Sequence, residues 1–273
     1  MNQESYPSLT FMADLAQQAG KIMTDNFKMG MARTEKADKT PLTASDQVIN
    51  DMVRDAIRTH YPHVQLLGEE GNHLVAGARY EVYLDPVDGT IPFCRGLPVS
   101  TFCMAVKARS GNTPLAAVIY DPFLGRMWLA AKGEGTFLNG KRAHVSACDE
   151  IPNAYIGTCW WDSRAHNMHA FMGSIMDTKA KWVNLCSIAI FGGLVASGEF
   201  DASIFMSSSG LETLAMQLIV KEAGGVATDL RGNRLFYDQK GGITCGHLIT
   251  NGVIHDKLVR MIKRYRIPRS GSR

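Results

Sequence analysis

The sequence predicts an α/β protein in which helices and sheets lie in layers. Helical periodicity opens the chain, strand-like runs separated by turns fill the rest of its first half, and apolar helices alternate with short strands beyond about residue 150. With 273 residues, 45% of them hydrophobic, the chain can fill one large domain or two modest ones. We expect two halves, 1–146 and 147–273, with a functional site in the cleft between them.

The N-terminal elements are predicted to be two helices joined by a polar loop. Apolar residues recur at helical spacing from Leu9 to Phe27, which gives that helix one buried face. The stretch KMGMARTEKADKTP is polar, contains glycine and ends in proline, so it predicts an exposed loop. A second helix should begin at Thr43, because Thr43 and Asp46 have the spacing of a capping box.

Strands dominate the next part of the chain. The strand-like runs are VQLLG, YEVYLD, STFCMAVKA, LAAVIYDP and RMWLAAKGEGTFLNGKR. The last of them predicts a hairpin with an Asn-Gly turn at its far end. In the second half, SIAIFGGLVASGEFDASIF predicts a buried helix followed by a strand, and LETLAMQLIVKEAGG predicts a helix that glycines end.

Composition argues against several classes of partner. A net charge of +3 is too small to indicate a nucleic-acid surface, and no apolar run approaches the roughly 20 residues of a transmembrane helix. The six cysteines have neither zinc-ribbon nor disulfide-scaffold spacing, which favours free thiols in a reducing compartment. We therefore expect a cytoplasmic protein with no membrane and no nucleic-acid partner.

The segment DPVDGT carries the clearest chemical signal. Asp85 ends a strand and Asp88 follows three residues later, so a proline-initiated turn can direct both carboxylates and the carbonyl of Val87 to one point. Mg²⁺ prefers such oxygen ligands. Gly89 permits close approach of a ligand, and Thr90 opens a short helix whose amides can bind phosphate. The alternative is a turn with no ligand.

Other acids have both a functional and a structural interpretation. Glu69 and Glu70 follow another strand, where α/β proteins often place their sites, but a solvated acidic turn is the simpler explanation. Asp46 and Glu212 each have the spacing of a capping-box acid, with Thr43 and Ser209 respectively.

Four segments together resemble the inositol monophosphatase family, which comprises lithium-sensitive, Mg²⁺-dependent phosphomonoesterases. They are KADKTPLTASDQ, LLGEEG, YLDPVDGT and LETLAMQLIVKEAGG, and the resemblance runs from the first helix to about residue 250. It implies an αβαβα sandwich of the sugar-phosphatase type with the metal site between the halves. The N-terminal half would hold most of the metal ligands and the C-terminal half the specificity residues. Members of the family are commonly homodimers.

The resemblance also implies a set of metal ligands. Glu70 and Asp85 would hold one Mg²⁺, with help from the backbone carbonyl of Val87. A second ion would lie between Asp85, Asp88 and Glu212. Some members of the family bind a third, weaker ion near the position of Glu70, so the resemblance implies two or three ions.

Further roles follow from the same resemblance. Thr90 and Asp46 would orient and deprotonate the attacking water, with Glu70 also counted among the catalytic residues. The phosphate would be bound by the amides of Gly89 and Thr90 beside Asp88. Lys36 and Asp38 would lie on a mobile loop that closes over the metals.

Three departures from the family pattern bear on function. Ile91 and Pro92 replace a threonine and an asparagine, a change that the short helix should tolerate because Pro92 falls in its first turn. Leu211-Glu212 replaces Trp-Asp, so the second ion would be held by a longer side chain. Phe205 replaces a glutamate that contacts the substrate ring, and it cannot accept hydrogen bonds from ring hydroxyls.

The sequence therefore predicts Mg²⁺-dependent hydrolysis of a small phosphorylated metabolite by metal-activated water. The family default is an inositol-1-phosphatase-like enzyme. Histidinol phosphate, nucleotide 3′-phosphates and sugar bisphosphates are alternative substrates. A different class remains open: a family member weakened by the changes at positions 91, 92, 211 and 212, which acts as a binding or scaffolding protein.

Overall fold

The computed structural model describes residues 5–30, 32–35, 41–159, 167–207 and 209–266. None of the helices in these ranges is both long and apolar enough to cross a membrane. The segment predicted as an exposed loop contains a small antiparallel ribbon, β1 (Thr34–Glu35) paired with β2 (Pro41–Leu42). The prediction missed this ribbon because two-residue strands leave no periodic pattern.

The larger sheet has seven strands in the order in which they occur along the chain. The first two are parallel and each later pair is antiparallel. The strands are β3 (Gln65–Gly68), β4 (Tyr80–Asp88), β5 (Thr101–Ala108), β6 (Pro114–Asp121), β7 (Arg126–Ala131), β8 (Gly135–Leu138) and β9 (Lys141–Arg142). All the predicted strand runs of the first half are therefore confirmed. Asn139 and Gly140 form the expected turn between β8 and β9, both with positive φ.

Two helices cover one face of the seven-stranded sheet. They are α1 (Leu9–Asn26), capped by the Ser8 hydroxyl, which accepts from the Phe11 amide, and α2 (Ala44–His60), with Thr43 as its N-cap. Both beginnings agree with the sequence prediction. The apolar stripe of α1 is buried against β5, β6 and β7, and α2 packs against β4, where Val82 and Leu84 belong to the same core.

A second pair of helices fills the space between the two sheets. Helix α5 (Ala189–Ala196) is buried on every side, and so is most of α6 (Leu211–Glu222). A helix that is apolar all round belongs in an interior, which is where these two lie. Trp128 of β7 joins this layer and donates from Nε1 to the Ser197 hydroxyl at 2.7 Å.

The smaller sheet has five strands in the order β11-β10-β12-β14-β13. Strands β11, β10 and β12 are parallel, whereas β14 is antiparallel to both of its neighbours. Their bounds are β10 (Tyr155–Cys159), β11 (Lys181–Asn184), β12 (Ala202–Phe205), β13 (Val226–Thr228) and β14 (His247–Thr250).

Helices α4 (Met168–Asp177) and α7 (His255–Arg264) form the outer layer on the far face of the smaller sheet. The order of layers is thus α, β, α, β, α, and the predicted sandwich is confirmed. The central core draws residues from both predicted halves, among them Trp128 and Phe191. The boundary at residues 146 and 147 stays a prediction.

Candidate active site

The candidate site begins at an irregularity in β4. Asp85 lies opposite Cys103 of β5 and Asp88 lies opposite Thr101, so β4 holds one residue more than its partner over this stretch. This is a β-bulge, and a bulge is where a strand tolerates a proline such as Pro86. The sequence predicted a turn after Asp85. The strand instead continues to Asp88, and the bulge redirects its side chains.

Three carboxylates meet at this bulge. Asp85, Asp88 and Glu212 each offer an oxygen, and these oxygens lie within 4.8 Å of one another. Asp85 is steadied by the amide of Val87, which donates to its Oδ1 at 3.0 Å. The two aspartates come from β4, whereas Glu212 lies in the first turn of α6, so the cluster joins the two predicted halves.

Asp88 is held by donors from both sides of the cluster. Its Oδ1 accepts from the Ile188 amide at 3.0 Å, and its Oδ2 accepts from the Ala189 amide at 2.9 Å and the Thr101 hydroxyl at 3.1 Å. The Ser187 hydroxyl also donates to Oδ2. The N-terminal end of α5 therefore fixes the orientation of Asp88.

Asp46 and Thr90 form a hydrogen-bonded pair next to the bulge. The Thr90 hydroxyl lies 3.1 Å from Asp46 Oδ1 and 3.1 Å from the carbonyl of Val87. The other oxygen of Asp46 accepts from the backbone and side chain of Thr43 and completes the predicted capping box. The capping and the functional interpretations of Asp46 are therefore compatible.

Glu212 belongs to the acidic cluster, and its Oε2 accepts from the Ser209 hydroxyl at 2.8 Å. The predicted capping box of Ser209 and Glu212 is wrong, because the N-cap of α6 is Gly210 and the Ser209 amide donates to the Ser207 hydroxyl instead of to Glu212. A negative charge in the first turn of a helix is favourable in itself.

Burial and mutual repulsion disfavour negative charge in the cluster. Burial, followed by the charges of Glu69, Glu212 and Asp88, raises the pKa of Asp85 well above its usual value. Burial also raises the pKa of Asp88, even though its hydrogen bonds oppose the change. Burial and the charge of Asp88 raise the pKa of Glu212 to about 7. A divalent cation would relieve this repulsion, so the donor set fits Mg²⁺.

A cavity of about 90 Å³ opens over the cluster. Its described lining is Glu69, Asp85, Val87, Asp88, Gly89, Thr90, Ile91, Cys159, Cys186, Ile188, Phe205 and Glu212. Phe205, which the resemblance implies is a specificity residue, lines the cavity. Glu69 is in this lining and Glu70 is not, although the sequence prediction assigned the metal to Glu70. Lys36 and Asp38, expected on a mobile loop, lie outside the described residues.

Gly89 shows why the motif needs glycine. Its φ is +86°, in the left-handed region, and an added Cβ would lie 2.6 Å from the Cβ of Ser187. Helix α3 (Thr90–Cys94) starts directly after it and contains Pro92, so the expected short helix forms despite the departure from the family pattern.

A model of the inositol monophosphatase family matches residues 6–266 of the chain. The chain belongs to the inositol monophosphatase family. Members of this family are phosphatases that depend on Mg²⁺ and act on small phosphorylated substrates.

The curated relatives carry different names. This family member is 25% identical to the fructose-1,6-bisphosphatase/inositol-1-monophosphatase of Aquifex aeolicus, over 97% of each chain. It is 28% identical to the histidinol-phosphatase of Chlorobaculum parvum, over 91% of this chain and 95% of the relative. It is 30% identical to the putative Nus factor SuhB of Neisseria meningitidis, over 83% of this chain and 88% of the relative.

Solved structures agree with the fold. An IMPase of Thermotoga maritima superimposes with a TM-score of 0.83 at 25% identity and covers 94% of this chain and 96% of its own. An IMPase/NADP phosphatase solved with Mg²⁺ and phosphate superimposes with a TM-score of 0.81 at 20% identity. At that identity the likeness supports the fold alone.

Several residues of the candidate site were not among those that the sequence predicts. Ser187, Ile188 and Ala189 hold Asp88 in place, and Cys159 and Cys186 line the cavity. Ser187 to Ala189 begin the run SIAIFGGLVASGEFDASIF, from which the sequence predicts only a buried helix followed by a strand. Nothing local in it indicates contact with an aspartate about a hundred residues earlier.

Proposed function

We propose that this protein hydrolyses a small phosphate monoester in a Mg²⁺-dependent reaction. The observation that carries the proposal is the convergence of Asp85, Asp88 and Glu212 beside the hydrogen-bonded pair of Thr90 and Asp46. Bound Mg²⁺ would neutralise charge on the phosphate oxygens and lower the pKa of an attacking water. Two or three ions, and inhibition by Li⁺, are parts of the proposal.

Glu69 is the better candidate than Glu70 for the fourth carboxylate. It lines the cavity, and its charge contributes to the raised pKa values of Asp85, Asp46 and Glu212. Successive side chains along a strand point to opposite faces of the sheet. Only one of Glu69 and Glu70 can therefore direct its carboxylate at the proposed metal site. We therefore assign the metal-ligand role to Glu69, together with Asp85, the Val87 carbonyl, Asp88 and Glu212.

Thr90 and Asp46 are proposed to receive the proton of the attacking water. The Thr90 hydroxyl is within hydrogen-bond reach of Asp46, and burial raises the pKa of Asp46, which makes it a better base than an exposed aspartate. The backbone amides at Gly89 and Thr90 are proposed to bind the phosphate, beside Asp88.

The names of the relatives leave several substrates open. Inositol 1-phosphate is the family default, and histidinol phosphate and sugar bisphosphates agree with individual relatives. Because other relatives are named Nus factors, a binding or scaffolding role remains the alternative to catalysis. The absence of a nucleic-acid partner stays a prediction. A homodimer and a cytoplasmic location also stay predictions.

The test is phosphate release with and without Mg²⁺ from inositol 1-phosphate, histidinol phosphate, adenosine 3′,5′-bisphosphate, fructose 1,6-bisphosphate and p-nitrophenyl phosphate. Release that EDTA abolishes and Li⁺ inhibits would support the proposal. The matched variants are Glu69→Gln, expected to lose activity, and Glu70→Gln, expected to retain it. No release from any ester would favour the binding role.

A further inference from the structure

One part of the described cavity wall is apolar. It is formed by Ile91, Ile188 and Phe205, together with the thiols of Cys159 and Cys186. Burial raises the pKa of both thiols, so they stay neutral. Among the described lining residues there is no amide side chain, imidazole, lysine or arginine. Among the described residues, an alcohol group that lies against this part of the wall meets carbon and sulfur.

The polar lining groups are already engaged. Glu69, Asp85, Asp88 and Glu212 are the proposed metal ligands, and Asp88 additionally accepts four hydrogen bonds from the protein. The single hydroxyl hydrogen of Thr90 is directed to Asp46 and the Val87 carbonyl. Few acceptors are left to satisfy the hydroxyls of a polyol, and an unsatisfied buried hydroxyl is costly.

The apolar wall is fixed by the fold. Phe205 ends β12 and lies opposite Cys159 of β10, so the two belong to adjacent parallel strands. Its ring lies 5.5 Å from the ring of the buried His247, and only 4% of Phe205 is exposed. Ile188 is 1% exposed, and its amide is bound to Asp88. Only Ile91 is substantially exposed, at 38%.

From this wall we propose that the preferred substrate is the phosphate ester of an apolar cyclic or aromatic alcohol, rather than of a polyol. The inference rests on the proposed phosphatase function and adds the class of the leaving group. An apolar ring gains by leaving water for this wall, whereas each polyol hydroxyl would lose its hydration without gaining a partner.

The test compares cyclohexyl phosphate with inositol 1-phosphate, which share a six-membered ring and differ in five hydroxyls. The hydroxyls make inositol the better leaving group in water, so a preference for cyclohexyl phosphate cannot arise from intrinsic reactivity. We expect kcat/KM to be about tenfold or more higher for cyclohexyl phosphate. In calorimetry with MgCl₂, non-hydrolysable cyclohexylmethylphosphonate should bind more tightly than the corresponding inositol phosphonate.

Two variants locate the effect. Ile91→Thr places a hydroxyl at the exposed edge of the wall and should reduce the preference for cyclohexyl phosphate severalfold. Val253→Thr makes a similar change at an exposed position outside the described cavity lining and should leave that preference unchanged. Phe205→Gln should reduce the preference further, and circular dichroism would check that this buried variant folds.

The outcomes separate the two proposals. Mg²⁺-dependent release with equal or higher kcat/KM for inositol 1-phosphate would overturn the apolar preference and leave the phosphatase function standing. An unchanged preference in both Ile91→Thr and a folded Phe205→Gln would also overturn it. Absence of release from every ester, p-nitrophenyl phosphate included, would overturn the phosphatase function itself.

Discussion

The carboxylate of Asp88 accepts hydrogen bonds from Thr101, Ser187, Ile188 and Ala189. These donors belong to β5 and to the N-terminal end of α5, so one buried side chain connects two layers of the fold. Its value to the molecule is consequently structural as well as chemical. A substitution that preserves the shape of the Asp88 side chain therefore still changes both its structural and its chemical role.

Asp88→Asn should therefore abolish turnover and also destabilise the fold. The amide group of asparagine would direct its hydrogens at one or more of the four donors, which costs about 1–3 kcal/mol for each group left unsatisfied. Phosphate release and the free energy of unfolding in urea measure the two effects. Thr101→Val removes one donor and should cost less; equal stability of Asp88→Asn and the wild type would contradict this account.

His247 should make the stability of the protein sensitive to acid. It is fully buried at the start of β14, its Nδ1 lies 2.8 Å from the Thr213 hydroxyl, and burial lowers its pKa from 6.5 to about 3. The folded state thus binds fewer protons than the unfolded state below pH 6.5. The stability due to neutral His247 is fully present above pH 6.5 and is lost as the pH falls toward 3.

The measurement is the free energy of unfolding at pH 7.5 and 5.5 for the wild type and for His247→Gln. The wild type should lose about 1 kcal/mol more than the variant between these values, since one pH unit below the unfolded pKa is worth about 1.4 kcal/mol per proton. An identical loss in both proteins would show that His247 does not govern the acid response.

At the scale of elements, the close approach of α5 to the larger sheet determines where the donors to Asp88 lie. Gly193 of α5 faces Trp128, and an added Cβ would lie 2.5 Å from the indole ring. Trp128 is itself fully buried and fixed by its bond to Ser197, so it has little room to move. The packing of this helix consequently depends on a residue without a side chain.

Gly193→Ala should destabilise the protein by about 1–3 kcal/mol, as overpacking of a close-packed core does. The matched control is Gly173→Ala in α4, where an added Cβ has no neighbour within 4 Å. That change should be neutral or stabilise by roughly 0.5–1 kcal/mol, because alanine favours helix more than glycine does. Urea unfolding compares them; a Gly193→Ala variant as stable as Gly173→Ala would refute the close contact.

At the scale of the whole molecule, the two predicted halves meet at the acidic cluster, where their carboxylates repel one another. Asp85 and Asp88 come from the larger sheet, and Glu212 comes from α6 between the sheets. A cation bound by all three would link these layers and stabilise the folded state by mass action.

Mg²⁺ should accordingly raise the thermal midpoint of unfolding. At a concentration ten times the dissociation constant, the stabilisation is about 1.4 kcal/mol. Glu212→Gln should raise the midpoint in EDTA, because it removes one repelling charge, and should reduce the increase caused by Mg²⁺. Glu199→Gln, an exposed change outside both the cluster and the described cavity lining, should behave as wild type. A full Mg²⁺ response in Glu212→Gln would exclude Glu212 as a ligand.

Much of the fold could be predicted from local patterns. The start of α1 at Leu9, the capping box at Thr43 and the Asn-Gly turn of the β8–β9 hairpin each depend on residues that are near one another in the chain. The predicted turn after Asp85 is a bulge in the structure, because proline and glycine favour both and only the register with β5 distinguishes them.

By itself the sequence determined the helices and the longer strands that have a clear period, the acidic residues available to a metal and the family resemblance, since these depend on residue type and spacing. Only the tertiary structure decided which acids converge, that Glu69 and not Glu70 faces the cavity, and that Ser187 to Ala189 hold Asp88. The physical reason is that strand register and helix packing bring together groups far apart in the chain. No local pattern encodes those distances.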